Sequence, residues 1–359
     1  MENDAPSPPR ERSGPALRLA RWLLRLASYG ALMTIVCALA WAWLVPSIDN
    51  DILALGAFAS IVITAYAAHG GLLALGLAVI ALLACMRVTT CVALIAAILA
   101  LWPSFIPMAR SLTDPRARDD TDLVVYSANL LYGRSDIETL AEHIADVDPD
   151  VIVFQEVTDA MAEDIERLFA DDYPSRWAAP RPDAFGQAVL TRLPVVGAPV
   201  LTPRTEARPP SGWVPQIMFD VLWDGRRVHV LDVHTLPPSG RSLIIDQDAM
   251  SAAMSELLAE SDADLTIFAG DFNSDERGRP VHRLLRAGMR SVWRKAGRGV
   301  GGTWQSPGPM SLLPGPRIDQ ILYTGDDASC IETGRGPFCG SDHRGVWARF
   351  AVSDEADRP

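Results

Sequence analysis

Long, uninterrupted apolar stretches dominate the first third of the chain. After about residue 120 they give way to short apolar runs separated by polar segments. Residues 26–48, 52–86 and 88–109 contain no Asp, Glu, Lys or Arg; Asp49, Asp51 and Arg87 punctuate them. Farther on, runs at 122–128, 151–155, 187–191, 217–223, 228–233, 265–269, 319–323 and 346–351 are rich in Val, Ile, Leu, Phe and Tyr and predict strands. Several are apolar throughout, as strands buried on both faces are. Residues 136–146, 158–170 and 242–260 repeat apolar positions at helical spacing, with polar opposite faces. Strands interleaved with helices predict an α/β domain whose sheets are covered by helices. Pro149-Asp150, Pro209-Pro210, Pro237-Pro238 and the segment 297–316 read as loops. The last is long for a compact domain, and reads as a lid or an insertion near a site.

The apolar third has the length and composition of a membrane region. Residues 26–48 are long enough to span a bilayer. The basic flank of Arg10, Arg12, Arg18, Arg21 and Arg25 should stay cytoplasmic. The middle stretch, 52–86, admits two readings. As one helix it would be about 50 Å long, too long for an upright span. It is either a single span with a tilted or interfacial lead-in, or two tight spans folded at His69-Gly70-Gly71. The first gives three spans and puts the later domain outside; the second gives four and puts it inside. Arg87, Arg110, Arg116 and Arg118 do not decide between them. We read three spans. The expected organisation is a basic cytoplasmic N-terminus (1–25), a transmembrane region (26–109), a linker (110–120), a catalytic domain (121–352) and a tail (353–359).

Charge and cysteine usage refine this picture. The net charge of −12 is uneven. Beyond residue 120 there are 23 basic against 36 acidic residues. An acidic domain is a poor scaffold for non-specific binding to a phosphate backbone, although a bound metal supplies local positive charge. Of five cysteines, Cys37, Cys85 and Cys91 lie in apolar stretches as small hydrophobes. Cys330 and Cys339 flank a Gly-rich turn and are expected to pair as a disulfide, which favours an oxidising compartment.

Candidate chemistry collects at the ends of the apolar runs. Leu265–Ala269 leads into Gly270-Asp271-Phe272-Asn273. Side-chain direction has period two in a strand, so Asp271 and Asn273 point the same way and can orient a water beside a phosphate. Other runs lead to Asn129, to Gln155-Glu156 and to His234, while Asp319 and Asp342-His343 lie at the edges of the last two. Gathered along one edge of a β core, these would form an oxygen-rich pocket with two imidazoles. Such oxygens suit Mg²⁺ or Mn²⁺ rather than structural zinc. With no nucleophilic Ser or Cys motif in evidence, metal-assisted attack of water on phosphorus is the economical chemistry. Each residue also has a plainer reading: Asn129 ending a strand, Glu156 capping a helix, Asp319 pairing with Arg317. Tyr132, Arg192, Arg241 and Arg335 are weaker candidates for phosphate contacts.

The ordered set Asn129, Gln155-Glu156, His234, Gly270-Asp271-Phe272-Asn273, Arg317-Ile318-Asp319 and Ser341-Asp342-His343 resembles the endonuclease/exonuclease/phosphatase (DNase I-like) superfamily over about residues 120–352. The resemblance implies a four-layer α/β sandwich with its site at one sheet edge. It implies Glu156 as the principal Mg²⁺ ligand, helped by Asn129 and Asp342. Asp271 would position or deprotonate the attacking water, and Asn273 would orient it or the phosphate. His343 would bond the phosphate, with Asp319 fixing its tautomer, and His234 would stabilise phosphoryl charge. The run His234-Thr235-Leu236-Pro237-Pro238 and the membrane region look like the membrane-anchored bacterial members associated with glycopeptide (teicoplanin) resistance. That subgroup implies hydrolysis of undecaprenyl pyrophosphate by a multi-pass protein at the outer face of the bacterial cell membrane. A membrane-tethered nuclease acting on nucleic acid is the alternative, though no basic groove is evident for it.

Overall fold

The computed structural model describes residues 14–45, 48, 50–109, 118–202, 214, 216–308, 311 and 314–352. Arg10, Arg12, Arg110, Arg116, the Pro209-Pro210 loop and the tail 353–359 lie outside the described residues. The chain forms two compact units: Met1–Val36 with Ala67–Leu101, and Cys37–Tyr66 with Trp102–Pro359.

The apolar third forms four helices: α1 (Pro15–Leu44), α2 (Asp51–Ala65), α3 (Ala67–Leu83) and α4 (Arg87–Ala109). In the first unit, Ala74 of α3 and Ala96 and Ala97 of α4 pack with Ala31 and Leu32 of α1. Small residues at such seams let helices approach closely. The expectation of three spans is corrected here. Among the described residues one helix, Pro15–Trp41, is long and apolar enough to cross a membrane; α2 and α3 would add a second only if counted together as one broken span. The uncharged stretch 52–86 is interrupted at Tyr66, not at His69-Gly70-Gly71, so neither half reaches spanning length.

The second unit holds two six-stranded mixed sheets. One runs β11 (Ala328–Arg335), β12 (Val346–Val352), β1 (Leu123–Asn129), β2 (Val151–Gln155), β4 (Gln187–Thr191) and β3 (Ser175–Ala179). The other runs β5 (Val195–Thr202), β6 (Gln216–Trp223), β7 (Arg226–His234), β8 (Leu265–Asp271), β10 (Asp319–Thr324) and β9 (Arg290–Ser291). Helices α5 (Ile137–Val147) and α6 (Asp159–Phe169) cover the first sheet; α7 (Arg241–Glu260) and α8 (Arg279–Arg286) cover the second. A short α9 (Val292–Ala296) follows β9. This is the expected four-layer sandwich.

Strand parity separates its three cores. Leu123, Val125, Val151 and Val153 meet Val228, Val230, Leu265, Ile267 and Ala269 between the sheets. Tyr126, Ala128, Ile152 and Phe154 point outward to α5 and α6. Leu231, Val233 and Phe268 point outward to Met254, Leu258, Val281 and Leu284. Side chains alternate, so Asn129, Gln155, Asp232, His234 and Asp271 all belong to the inter-sheet faces. The β1–β2 and β7–β8 pairs are parallel, which brings these four strand ends to one edge.

The expected Cys330–Cys339 disulfide is also corrected: the two cysteines are not bridged. Cys330 lies in the core between the sheets, whereas Cys339 packs on the helix-covered side of the first sheet. A bridge would have to pass through the sheet.

Candidate active site

At that shared edge the structure brings Asn129, Glu156, His234, Asp271, Asn273, Asp319, Asp342 and His343 together. Two local backbone features make this possible. Gly270 has φ +149°, and a Cβ there would sit 1.8 Å from the Val233 carbonyl oxygen. Only glycine lets β8 press against β7 one residue before Asp271. Glu156 adopts the left-handed region at φ 60°, directly after β2. It does not cap the following helix: Thr158 does so, accepting from Met161 N at 3.3 Å. Thr158→Ala is expected to lower stability by about 1 kcal/mol with turnover unchanged, read from thermal unfolding beside an activity assay.

Asp271 sits at the centre. Its Oδ1 accepts from Asn273 N at 2.7 Å. Its Oδ2 accepts from Asn129 Nδ2 at 3.1 Å and Asn273 Nδ2 at 3.3 Å. Asn129 Nδ2 also reaches Glu156 Oε1 at 3.0 Å, while its oxygen accepts from Leu131 N at 2.9 Å. In this geometry Asn129 ties two carboxylates together. Asn273, also left-handed at φ 47°, anchors its amide on Thr235 O at 2.9 Å.

The histidines differ in state. His343 Nδ1 lies 3.0 Å from each oxygen of Asp319. Its Nε2 lies 3.8 Å from both Asp271 Oδ2 and Asp342 Oδ1. Burial pulls its pKa down, but Asp319 and then Asp271 outweigh that and push it up to about 10. The ring is therefore an imidazolium. His234, buried against Phe185 at 5.2 Å between ring centres, is driven down to about 3 by burial and then by His343. Its Nε2 lies 3.7 Å from Asp271 Oδ2 and 4.0 Å from Glu156 Oε1. Burial raises Asp271 to about 7, against the pull of His343, and raises Glu156 as well.

The donor set fits a divalent cation. The carboxyl groups of Glu156, Asp271, Asp319 and Asp342 converge beside His343. Oxygens of this kind match Mg²⁺ or Mn²⁺. Asp342 has one oxygen held by Trp304 Nε1 at 2.9 Å, and its buried Oδ1 has no hydrogen-bond partner. Ligand atoms of Asp271, Asp319 and His343 lie within 4.8 Å of one another. In that trio both Asp319 oxygens already share His343 Nδ1, so Glu156 and Asp342 have the freer lone pairs.

Several parts of the site were not visible in the sequence reading. Gln155 Nε2 crosses between the sheets to Asp232 Oδ1 at 2.6 Å, and Gln187 Nε2 reaches Asp232 O at 2.9 Å. Burial lifts the Asp232 carboxyl well above the usual range beneath the site. A carboxylate inside the apolar run 228–233 was the available signal. The start of segment 297–316 is tied to the site: Gln305 N donates to Asp342 O and Arg344 N to Thr303 O, each at 2.8 Å. Arg317 pairs with Glu276 and Gln320, leaving Asp319 to His343. Arg192 pairs with Asp148, Arg241 with Asp51, and Arg335 and Tyr132 donate to backbone carbonyls. None of these four lines the cavity that opens from the site. That cavity, of about 600 Å³, has Glu156, His234, Asp271, Asn273, Asp342 and His343 on one wall. Phe58, Ile61, Val62 and Ala65 of α2 line it as well.

The family model described as Endonuclease/Exonuclease/phosphatase family matches residues 126–343, a span containing all eight residues above. Among solved structures, an endonuclease/exonuclease/phosphatase from Beutenbergia cavernae is similar at 21% identity and TM-score 0.52, covering 65% of this chain and 72% of that one. D. rerio TDP2 complexed with single strand DNA product is similar at 20% identity and TM-score 0.52, covering 65% and 100%. A functionally unknown conserved protein from Enterococcus faecalis is similar at 19% and 0.50, covering 64% and 100%. These likenesses show the fold. No curated protein matches the chain.

Proposed function

Because this chain belongs to the endonuclease/exonuclease/phosphatase family, we propose that it is a divalent-metal-dependent hydrolase of phosphate esters. Its substrate in this reading is a lipid-linked phosphate or pyrophosphate, such as undecaprenyl pyrophosphate. The observation that carries the reading is the buried Asp271, bracketed by Glu156, Asn273, His234 and the His343–Asp319 pair, in a cavity also lined by the apolar Phe58, Ile61 and Val62.

Glu156 and Asp342 would hold Mg²⁺ or Mn²⁺, with Asn129 beside Glu156. The ion supplies Lewis-acid polarisation of the phosphoryl oxygens when bound. Asp271, held by three hydrogen bonds, takes the proton of the attacking water. The bond formed joins that water's oxygen to phosphorus, and the bond broken is from phosphorus to the bridging oxygen. The His343 imidazolium directs Nε2 toward the phosphoryl oxygens, and Asp319 fixes the ring. Neutral His234 offers a second donor at the same oxygens. The helix Pro15–Trp41, with its basic flank kept cytoplasmic, supports a membrane-anchored protein whose catalytic domain lies on the opposite face.

Phosphate release from undecaprenyl pyrophosphate by the detergent-purified full chain tests this. Release is expected with Mg²⁺ or Mn²⁺, to be lost on chelation and restored by adding metal back. Metal-dependent plasmid nicking without lipid turnover would overturn the lipid substrate and retain the hydrolase.

A further inference from the structure

Helix α2 is built into the catalytic unit. Its fifteen residues would extend about 22 Å, short of a bilayer core. Ala54, Ala57, Ser60, Ile61 and Thr64 are buried. Ala54 and Ala57 pack with Ile48 against Ile244 of α7. Polar ties hold both ends. Asp248 of α7 receives Arg279 at 2.5 Å, Arg283 at 2.8 Å and the Ile48 amide at 3.4 Å. Arg279 also donates to Val45 O. At the other end Arg277 donates to Thr64 O at 3.0 Å, and the Tyr66 hydroxyl meets Ser306 Oγ at 2.7 Å. A helix tethered in this way, with buried charge on its neighbours, keeps a fixed position against the site.

The face it leaves open is apolar. Ile52, Leu55, Phe58 and Val62 are exposed, and Phe58 and Val62, at 42% and 40%, sit on the lip of the cavity. Ile61, Ala65, Phe185 and Pro237 line the same cavity, and the Phe185 ring packs on His234. Apolar side chains of α2 and the carboxylates of the site thus share one cavity. We propose that α2 is the tail-binding wall of the active site: it holds the hydrocarbon portion of an amphiphilic phosphate ester while the phosphate lies at Asp271 and His343. This rests on the phosphate-ester reading of the site. The occupant follows from the shared cavity: it presents the polar groups of the site and the apolar side chains of α2 together. A water-soluble nucleic acid strand would leave that surface unused, and apolar surface of this extent beside a site marks what binds there.

The test uses the full chain in nanodiscs. Phe58→Gln/Val62→Gln alters two exposed positions and leaves the packed face of α2 intact. With Mg²⁺, its KM for undecaprenyl pyrophosphate is expected to rise roughly tenfold or more, since lost apolar contact falls on the long chain. Turnover of isopentenyl pyrophosphate, the same head group on five carbons, should stay within about twofold of the unaltered protein. Equal loss on both substrates, or no change on either, would overturn the proposal. A binding arm separates it from the reading of the chemistry. Photolysis with a benzophenone-tipped geranyl phosphate should label α2 at or beside Phe58 and Val62, whether or not any substrate turns over. Labelling on α2 without hydrolysis would support the wall while sinking the phosphohydrolase. Labelling confined to other segments would sink the wall.

Discussion

Asp271→Asn is expected to lower kcat by about 10²–10⁴-fold with KM little changed, the loss appropriate to removal of a general base. The carboxylate accepts from Asn273 N, Asn273 Nδ2 and Asn129 Nδ2, and an amide in its place cannot accept from all three. The variant should therefore also lose about 1–2 kcal/mol of stability. The two effects separate cleanly, because a stability loss of that size leaves the protein folded at assay temperature. Single-turnover measurements on folded variant decide the matter. Retention of activity within about tenfold would assign the proton transfer elsewhere. His343 keeps its partner in the variant, since Asp319 lies 3.0 Å from Nδ1 and is the strongest of its three anions.

Glu276→Ala should produce the largest loss of stability, about 3–5 kcal/mol at neutral pH. The carboxylate is 5% exposed and receives Arg294, Arg317 and the Ser291 hydroxyl. Removing it takes the anion away from the largely buried Arg317 guanidinium and from Arg294, which is half exposed. The linkage has a definite sign. Burial pushes the Glu276 pKa up, but Arg317 and Arg294 outweigh it, and the folded value lies below the ordinary 4.5. Its stabilising contribution is complete above the unfolded-state value and is lost as pH falls through the folded one. The gap in melting temperature between the two proteins should be widest near pH 7 and close progressively below about pH 4.5. A gap that stayed constant down to pH 3 would show that Glu276 is not held as an anion. Arg317 immediately precedes Ile318-Asp319, so the same substitution should also loosen the carboxylate that orients His343.

The legible part of this structure was the part written in strand periodicity. The eight predicted strands correspond to β1, β2, β4, β6, β7, β8, β10 and β12, and the three predicted helices to α5, α6 and α7. Those are the strands most fully enclosed, where apolar runs are continuous. The strands absent from the reading have a reason: β3 is only half-buried, β5 carries Gly197 and Pro199, β9 has two residues, and β11 has a bulge between Cys330 and Glu332. All eight candidate site residues converge because strand ends are local features and parallel pairing aligns them. What the sequence hid is what depends on distant packing. Nothing local says that Gln155 will find Asp232, that Arg317 will choose Glu276, or that an apolar helix resembling a span will line the cavity at the site. Composition marks α2 as apolar; only its tethers, supplied by residues some two hundred positions away, mark it as part of the site.

The placement of Cys330 and Cys339 on opposite faces of one sheet has a consequence for biogenesis. Because no Cys330–Cys339 bridge has to form, refolding is expected to give the same yield with and without a glutathione redox couple.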